Sequence, residues 1–177
     1  MRFLAAPLLA ITAASAAFAA HAPAPRVAAS SFNQLAQPLP LPYDEQADAM
    51  KAVAVAKARA RAEHKLLLID MGGNWCLDCR ILAGTMKLPK LAPFVDRHYV
   101  EVTVDIGRFD KNLAIARHYG IAKLAGVPAV LVVDPRTDRV VNKGHAEALA
   151  DARSMTPQAL ADWLAQWTKD GGLVTRI

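Results

Sequence analysis

The chain has 177 residues, 54% of them hydrophobic and 21% charged, with a formal net charge of +5 and only two cysteines. That length suits one domain of ordinary size with extensions. Two cysteines exclude a framework of structural disulfides, and the cations, Lys51, Lys57, Arg59, Arg61 and Lys65 among them, are spread as a solvated helix face would be, which argues against a nucleic-acid surface.

Residues 1–19 open with one positive charge at Arg2, continue in an apolar run from Phe3 to Ala14 and end in Ala17-Phe18-Ala19. This pattern predicts a secretory signal peptide cut after Ala19, with an uncleaved membrane anchor as the alternative. No cysteine follows the apolar run, so lipid attachment at a new N-terminal cysteine is excluded. Residues 20–43 hold Pro23, Pro25, Pro38, Pro40 and Pro42 among Ser30, Ser31, Asn33 and Gln34, a composition that predicts a flexible or extended linker, with an ordered arm packed along the domain over Phe32 to Leu41 as the alternative. Residues 44–177 then read as one domain without an internal repeat.

Asp44 is expected to open an alanine-rich helix to about His64, with Ala47, Met50, Val53 and Ala54 on one face and cations at its C-terminal end. Leu66-Leu67-Leu68-Ile69-Asp70 is apolar without alternation, as a strand covered on both faces would be. A helix follows the cysteines through Ile81, Leu82 and Met86, interrupted at Pro89 and Pro93. Tyr99 to Ile106 reads as a strand, and Asp110 as the cap of a helix containing Leu113, Ile115 and Ala116 that stops at Gly120. Ala129 to Val133 and Arg139 to Val141 form a strand pair around the Asp134–Asp138 turn. The last helix is capped by Thr156, begins at Pro157, presents Leu160, Trp163, Leu164 and Trp167 on one face and ends at Gly171-Gly172.

Chemistry concentrates in Trp75-Cys76-Leu77-Asp78-Cys79, which carries both cysteines two residues apart behind the first strand. On the first turn of a helix, free backbone N–H groups and the positive end of the macrodipole favour thiolate over thiol, so Cys76 is expected to be a nucleophile. A loop closed over two residues stabilises little, so the pair is better explained by chemistry than by stapling. Asp78 places an acid beside the nascent thiolate and should destabilise the reduced, charged form. Arg80 stands where covalent haem attachment needs histidine, which excludes that use. His64, His98, His118 and His145 lack metal spacing to the cysteines, and the Asp105–Asn112 segment lacks calcium-loop spacing. No resident metal or cofactor is called for. Two thiolates would also suit Cu(I), so a periplasmic soft-metal carrier is the alternative to redox exchange.

A strand ending in an acid, WCxxC, a helix, a strand, a helix, then Gly126-Val127-Pro128 before a strand pair and a last helix resembles the thioredoxin family, over roughly residues 44 to 170. The resemblance implies an α/β thioredoxin fold, a central mixed sheet of about four to five strands flanked by helices. It is most similar to periplasmic thiol-disulfide oxidoreductases. That implies Cys76 as the attacking thiolate, Cys79 as the resolving thiol, Asp70 as the buried proton acceptor for Cys79, and Trp75 as a wall of the site. Val127 and a cis Pro128 would hold the substrate backbone beside the sulfurs. Expected partners are protein disulfide or dithiol substrates and a membrane or soluble redox partner, with no nucleic acid and the chain a monomer. Leu77-Asp78 in place of the family's Gly-Pro, and Glu101 where a lysine is usual, alter the expected proton network and leave the direction of electron flow to be measured, with a reducing or isomerising role preferred.

Overall fold

The structure, a computed structural model, describes residues 21–168. The signal peptide and the Gly171-Gly172 helix end lie outside the described residues. Five helices and four strands follow in the order α1 (Ala49–Ala62), β1 (Leu66–Gly72), α2 (Leu77–Met86), α3 (Ala92–His98), β2 (Tyr99–Asp105), α4 (Leu113–His118), β3 (Ala129–Asp134), β4 (Arg139–Val140) and α5 (Pro157–Gln166).

The strands form one mixed sheet ordered β2-β1-β3-β4, in which β1 and β2 are parallel and the pairs β1/β3 and β3/β4 are antiparallel. Every residue of β1 is buried, because helices cover both faces. Successive strand residues point to opposite sides. Leu67, Ile69 and Met71 pack with Val53, Ala56 and Ala60 of α1 and Ile115 and Ala116 of α4. Leu66 and Leu68 pack with Ile81 and Leu82 of α2, Val95 of α3, and Leu160 and Leu164 of α5. Asp70 and Gly72 continue this second face, which carries the strand's acid towards the helix that bears the cysteines.

Several local expectations need correction. Helix α1 starts at Ala49, because Asp48 Oδ1 accepts from Lys51 N at 3.0 Å and caps it, whereas Asp44 Oδ1 is used in a local turn to Gln46 N at 2.9 Å. Its buried face is Ala49, Val53, Ala56 and Ala60, and Met50, Ala47 and Ala54 are exposed. Small side chains let this helix lie close to the sheet. Asp110 does not cap α4: its Oδ1 accepts from Arg108 N inside the preceding loop, and Asn112, in the left-handed region at φ 54°, is the residue before the helix.

The segment ahead of α1 also takes part in the packing. From residue 21 onward the segment is extended as its prolines require, but it is strapped along the domain. His21 Nδ1 lies 2.6 Å from Thr168 O, and the side chain of Gln158 accepts from Val27 N at 3.1 Å and donates to Pro25 O at 3.2 Å. Arg80 donates to Leu39 O and Pro40 O, and Thr103 Oγ1 donates to Pro42 O at 2.9 Å. Prolines supply carbonyls without N–H groups, and side chains of the domain satisfy those carbonyls. Leu35 is buried against the α2 and α5 face, and Gly84 makes room, since a Cβ there would lie 3.3 Å from both Leu35 and Leu39. Pro-rich composition specifies backbone shape, and burial of Leu35 and Tyr43 decides where that shape rests.

If the arm is part of the fold, Leu35→Ala lowers stability by about 2–4 kcal/mol in urea unfolding, as removal of a buried leucine does. A change within about 0.5 kcal/mol, the usual result at an exposed linker position, would contradict the packing.

Candidate active site

The turn between β1 and α2 brings the two cysteines together. Cys76 is the N-cap of α2, and its sulfur accepts from the Cys79 backbone N–H at 3.2 Å. The two are joined as a disulfide, with Cα atoms 5.3 Å apart. Cys79 is fully buried and Cys76 is 5% exposed, so the first sulfur is the one nearer solvent. Opening the bond would leave a sulfur at Cys76 beside unpaired N–H groups of the helix start, which favour negative charge. Cys76 Sγ also lies 3.5 Å from the Val127 carbonyl oxygen, and the Val127–Pro128 peptide bond is cis. The structure therefore brings Cys76, Cys79, Val127 and Pro128 to one place.

Trp75 stands at the edge of that place. Its Nε1 donates to Gly107 O at 2.7 Å, the Arg108 guanidinium sits 4.4 Å over its ring, and the Phe109 ring lies 6.2 Å away. The β2–α4 loop thus orients the tryptophan. From Phe109 an open apolar groove of about 550 Å3 runs past Leu113, Ala116, Ile121 and Leu124 towards the segment before Val127.

Asp70 is wholly buried behind the cysteines. Burial out of water raises its pKa first, the nearby Glu101 carboxylate raises it further, and a hydrogen bond from Tyr43 opposes both, leaving it pushed up to about 8. With its proton affinity brought close to neutrality, the group can take up a proton and release it again. Tyr43 Oη donates to Asp70 Oδ1 at 2.9 Å, and Oδ2 is buried with no hydrogen-bond partner among the described residues. Burial and the adjacent Asp70 hold the Tyr43 phenol far above its ordinary range, so it remains a donor.

The expected effect of Asp78 is overturned by its partner. Arg153, in a short 3-10 turn at Ala152–Ser154, donates to the Asp78 carboxylate from its backbone N at 2.8 Å, from Nε at 3.0 Å and from Nη2. Burial alone would raise the pKa of Asp78, but these bonds hold it below the usual carboxylate range. Its charge faces a guanidinium, so it does not act on the cysteines as an uncompensated anion. Arg153 and Tyr43 both lie far along the chain from the groups they touch and carried no motif. The one available signal for Tyr43 was an aromatic residue closing a proline-rich run.

With this geometry in place, comparisons with known proteins become informative. A family profile described as thioredoxin-like matches residues 48–135. Among solved structures, the chain is similar to one titled the crystal structure of disulphide isomerase from Xylella fastidiosa Temecula1, with 38% identity, a TM-score of 0.66, and coverage of 72% of this chain and 96% of that one. The chain belongs to the thioredoxin-like family. No curated protein matches it significantly. The likeness and the CxxC pair support thiol-disulfide oxidoreductase activity in this thioredoxin-like protein.

Asp70 leaves a signature in stability. An acid whose folded pKa lies above its unfolded value binds its proton more tightly when native, so its contribution is most favourable at low pH. That contribution declines from about pH 4 up to about pH 8 and is constant above it. Asp70→Asn removes the decline. Urea unfolding of the oxidised proteins at intervals from pH 5 to 8 should show the variant gaining on the wild type by up to about 1.4 kcal/mol per pH unit. A pH-independent difference would place the titration elsewhere.

Proposed function

We propose that the protein is an exported thiol-disulfide oxidoreductase that exchanges disulfides with protein substrates through Cys76 and Cys79, in the reducing or isomerising direction. The observation that carries this reading is the Cys76 sulfur at the N-cap of α2, against the Val127 carbonyl and beside Pro128. In the reduced protein the Cys76 thiolate attacks one sulfur of a substrate disulfide, forming a mixed disulfide and releasing the other substrate sulfur as a thiolate. Cys79 then gives up its proton, with Asp70 as acceptor, and attacks Cys76 Sγ. The Cys76–substrate bond breaks, the Cys76–Cys79 bond forms, and the second substrate sulfur leaves reduced. Trp75, Val127 and Pro128 form the wall and ledge against which an extended substrate segment lies, and the apolar groove beginning at Phe109 accepts its side chains.

Three considerations support export and direction. The pattern of residues 1–19 is that of a signal peptide, and a dithiol pair outside the cytosol is oxidised unless a partner recharges it. A membrane or soluble redox partner in the periplasm would supply the electrons. Leu77 and Asp78 between the cysteines include no histidine to stabilise the reduced form, and the similar Xylella structure is that of a disulphide isomerase. The chain acts as a monomer in this reading.

Insulin reduction with dithiothreitol as electron source tests the activity. Wild type should precipitate the insulin B chain and Cys76→Ser should fall to the uncatalysed rate; equal turnover by both would remove the proposal. Equilibration with glutathione tests direction. A potential between about −180 and −270 mV, the range of isomerases and thioredoxins, fits the reading, and one near about −120 mV would make the protein an oxidant.

A further inference from the structure

Tyr43 lies in the arm, before the stretch matched by the family profile, yet it is fixed more firmly than a passing contact requires. Its backbone N–H donates to Asn74 Oδ1 at 3.1 Å, and Asn74 Nδ2 donates back to Tyr43 O at 2.8 Å. Asn74 belongs to the turn that carries the cysteines, so arm and turn are held as one unit. The phenol reaches inward over Gly72. A Cβ at Gly72 would lie 2.5 Å from Tyr43 Oη and 2.7 Å from Cys79 Sγ, so the hydroxyl and the buried sulfur meet across a residue without a side chain. That hydroxyl is hydrogen-bonded to Asp70 Oδ1, and Asp70 Oδ2 has no partner among the described residues.

Resting on the oxidoreductase reading above, we propose that Tyr43 positions Asp70 as the proton acceptor for Cys79, fixing one carboxyl oxygen so that the other is left to take the thiol's proton when the mixed disulfide is resolved. In that step the Cys79 S–H proton passes to the Asp70 carboxylate. The Cys79 electron pair then attacks Cys76 Sγ, the bond from Cys76 to the substrate sulfur breaks, and the substrate leaves as a thiolate. Two protein thiols are oxidised and one substrate disulfide is reduced, so the substrate is the only oxidant needed. Asp70 later returns the proton to solvent or to the thiolate product.

The groups around Asp70 make Tyr43 its natural regulator. Opposite it in register are Thr103 on β2 and Val130 on β3, neither of which titrates in the working range. Glu101 on β2 raises its proton affinity, and Lys87 and Asp96 act on Glu101 in turn. Cys79 Sγ meets the Tyr43 hydroxyl across Gly72, and Asp105 acts on Tyr43. Tyr43 is the group among these whose hydrogen bond favours the carboxylate form.

The test separates the two thiol steps. Reduced protein is mixed with 5,5′-dithiobis(2-nitrobenzoate), from which Cys76 attack releases one thionitrobenzoate and Cys79 resolution releases the second. Both phases are followed from pH 5.5 to 10. In Tyr43→Phe, which keeps the ring and loses the hydroxyl, the second phase should slow about tenfold at pH 7 and its inflection should move up by about one pH unit, because a carboxylate losing a hydrogen bond holds its proton more tightly. The wild-type rate should be approached at high pH. A second phase that superimposes on wild type, or an equal slowing of both phases at every pH, overturns the proposal. The Asp70→Asn background adds a control: Tyr43→Phe should have no further effect there, and an additive loss overturns the proposal as well. If Tyr43→Phe does not fold, 3-fluorotyrosine placed at position 43 keeps the ring and strengthens the donor; the inflection should then move down, and an unmoved inflection overturns the proposal. A wild type that releases no second thionitrobenzoate sinks the oxidoreductase reading itself, and this inference falls with it.

Discussion

A wholly buried carboxyl group, carried within a strand buried on both faces, sets the terms for the rest of this molecule. Asp70 can occupy that position only by holding a proton or by borrowing hydrogen bonds, and the fold provides a single phenol for one of its oxygens. The burial that makes β1 a stable centre for the sheet is the same burial that raises the acid towards neutrality. Stability and chemistry are therefore opposed at this residue, and the native state tolerates the conflict because the long apolar faces of β1, β3 and α5 supply the surplus.

The cysteine turn is built on that centre. Strand β1 delivers the chain to Gly72, the turn reverses it, and α2 begins with Cys76 as its cap. The Cys76 sulfur lies beside the Val127 carbonyl, and the Cys79 sulfur meets the Tyr43 hydroxyl across Gly72. The Asp78–Arg153 pair clamps the second of the two residues between the cysteines to a remote 3-10 turn, so the intervening dipeptide is held by that pair as well as by the helix. The β2–α4 loop, through Gly107, Arg108 and Phe109, holds the tryptophan at the mouth. Separate segments of the chain thus converge on a small volume, each contributing one property.

What could be read beforehand follows a physical divide. Strand β1 was legible because an uninterrupted apolar run has few other uses, and α5 because Leu160, Trp163 and Leu164 recur at helical spacing behind a Thr156 cap and Pro157. The cysteine pair was legible because its chemistry depends on neighbours two and three residues away. Tyr43 and Arg153 were not, since their partners lie 27 and 75 residues distant, and no local pattern encodes such a meeting. The resting place of the arm was open for a related reason. Proline content reports backbone extension, and extension is equally compatible with free solution and with a docked strap. Asp78 shows the same limit for charge: its sign was evident, but its effective field depended on a guanidinium supplied by a distant turn.

The arm also alters what counts as the unit of heredity and of manipulation here. The family profile spans residues 48–135, and that span excludes the tyrosine that touches the buried acid and the whole of α5. A polypeptide trimmed to the shared portion would retain both sulfurs while exposing Asp70 on one side and much of the sheet on the other. Relatives that differ ahead of their first helix could consequently share an identical cysteine motif and still differ in how readily the inner thiol surrenders its hydrogen, so divergence in a segment usually dismissed as a leader becomes a route for tuning enzymatic character.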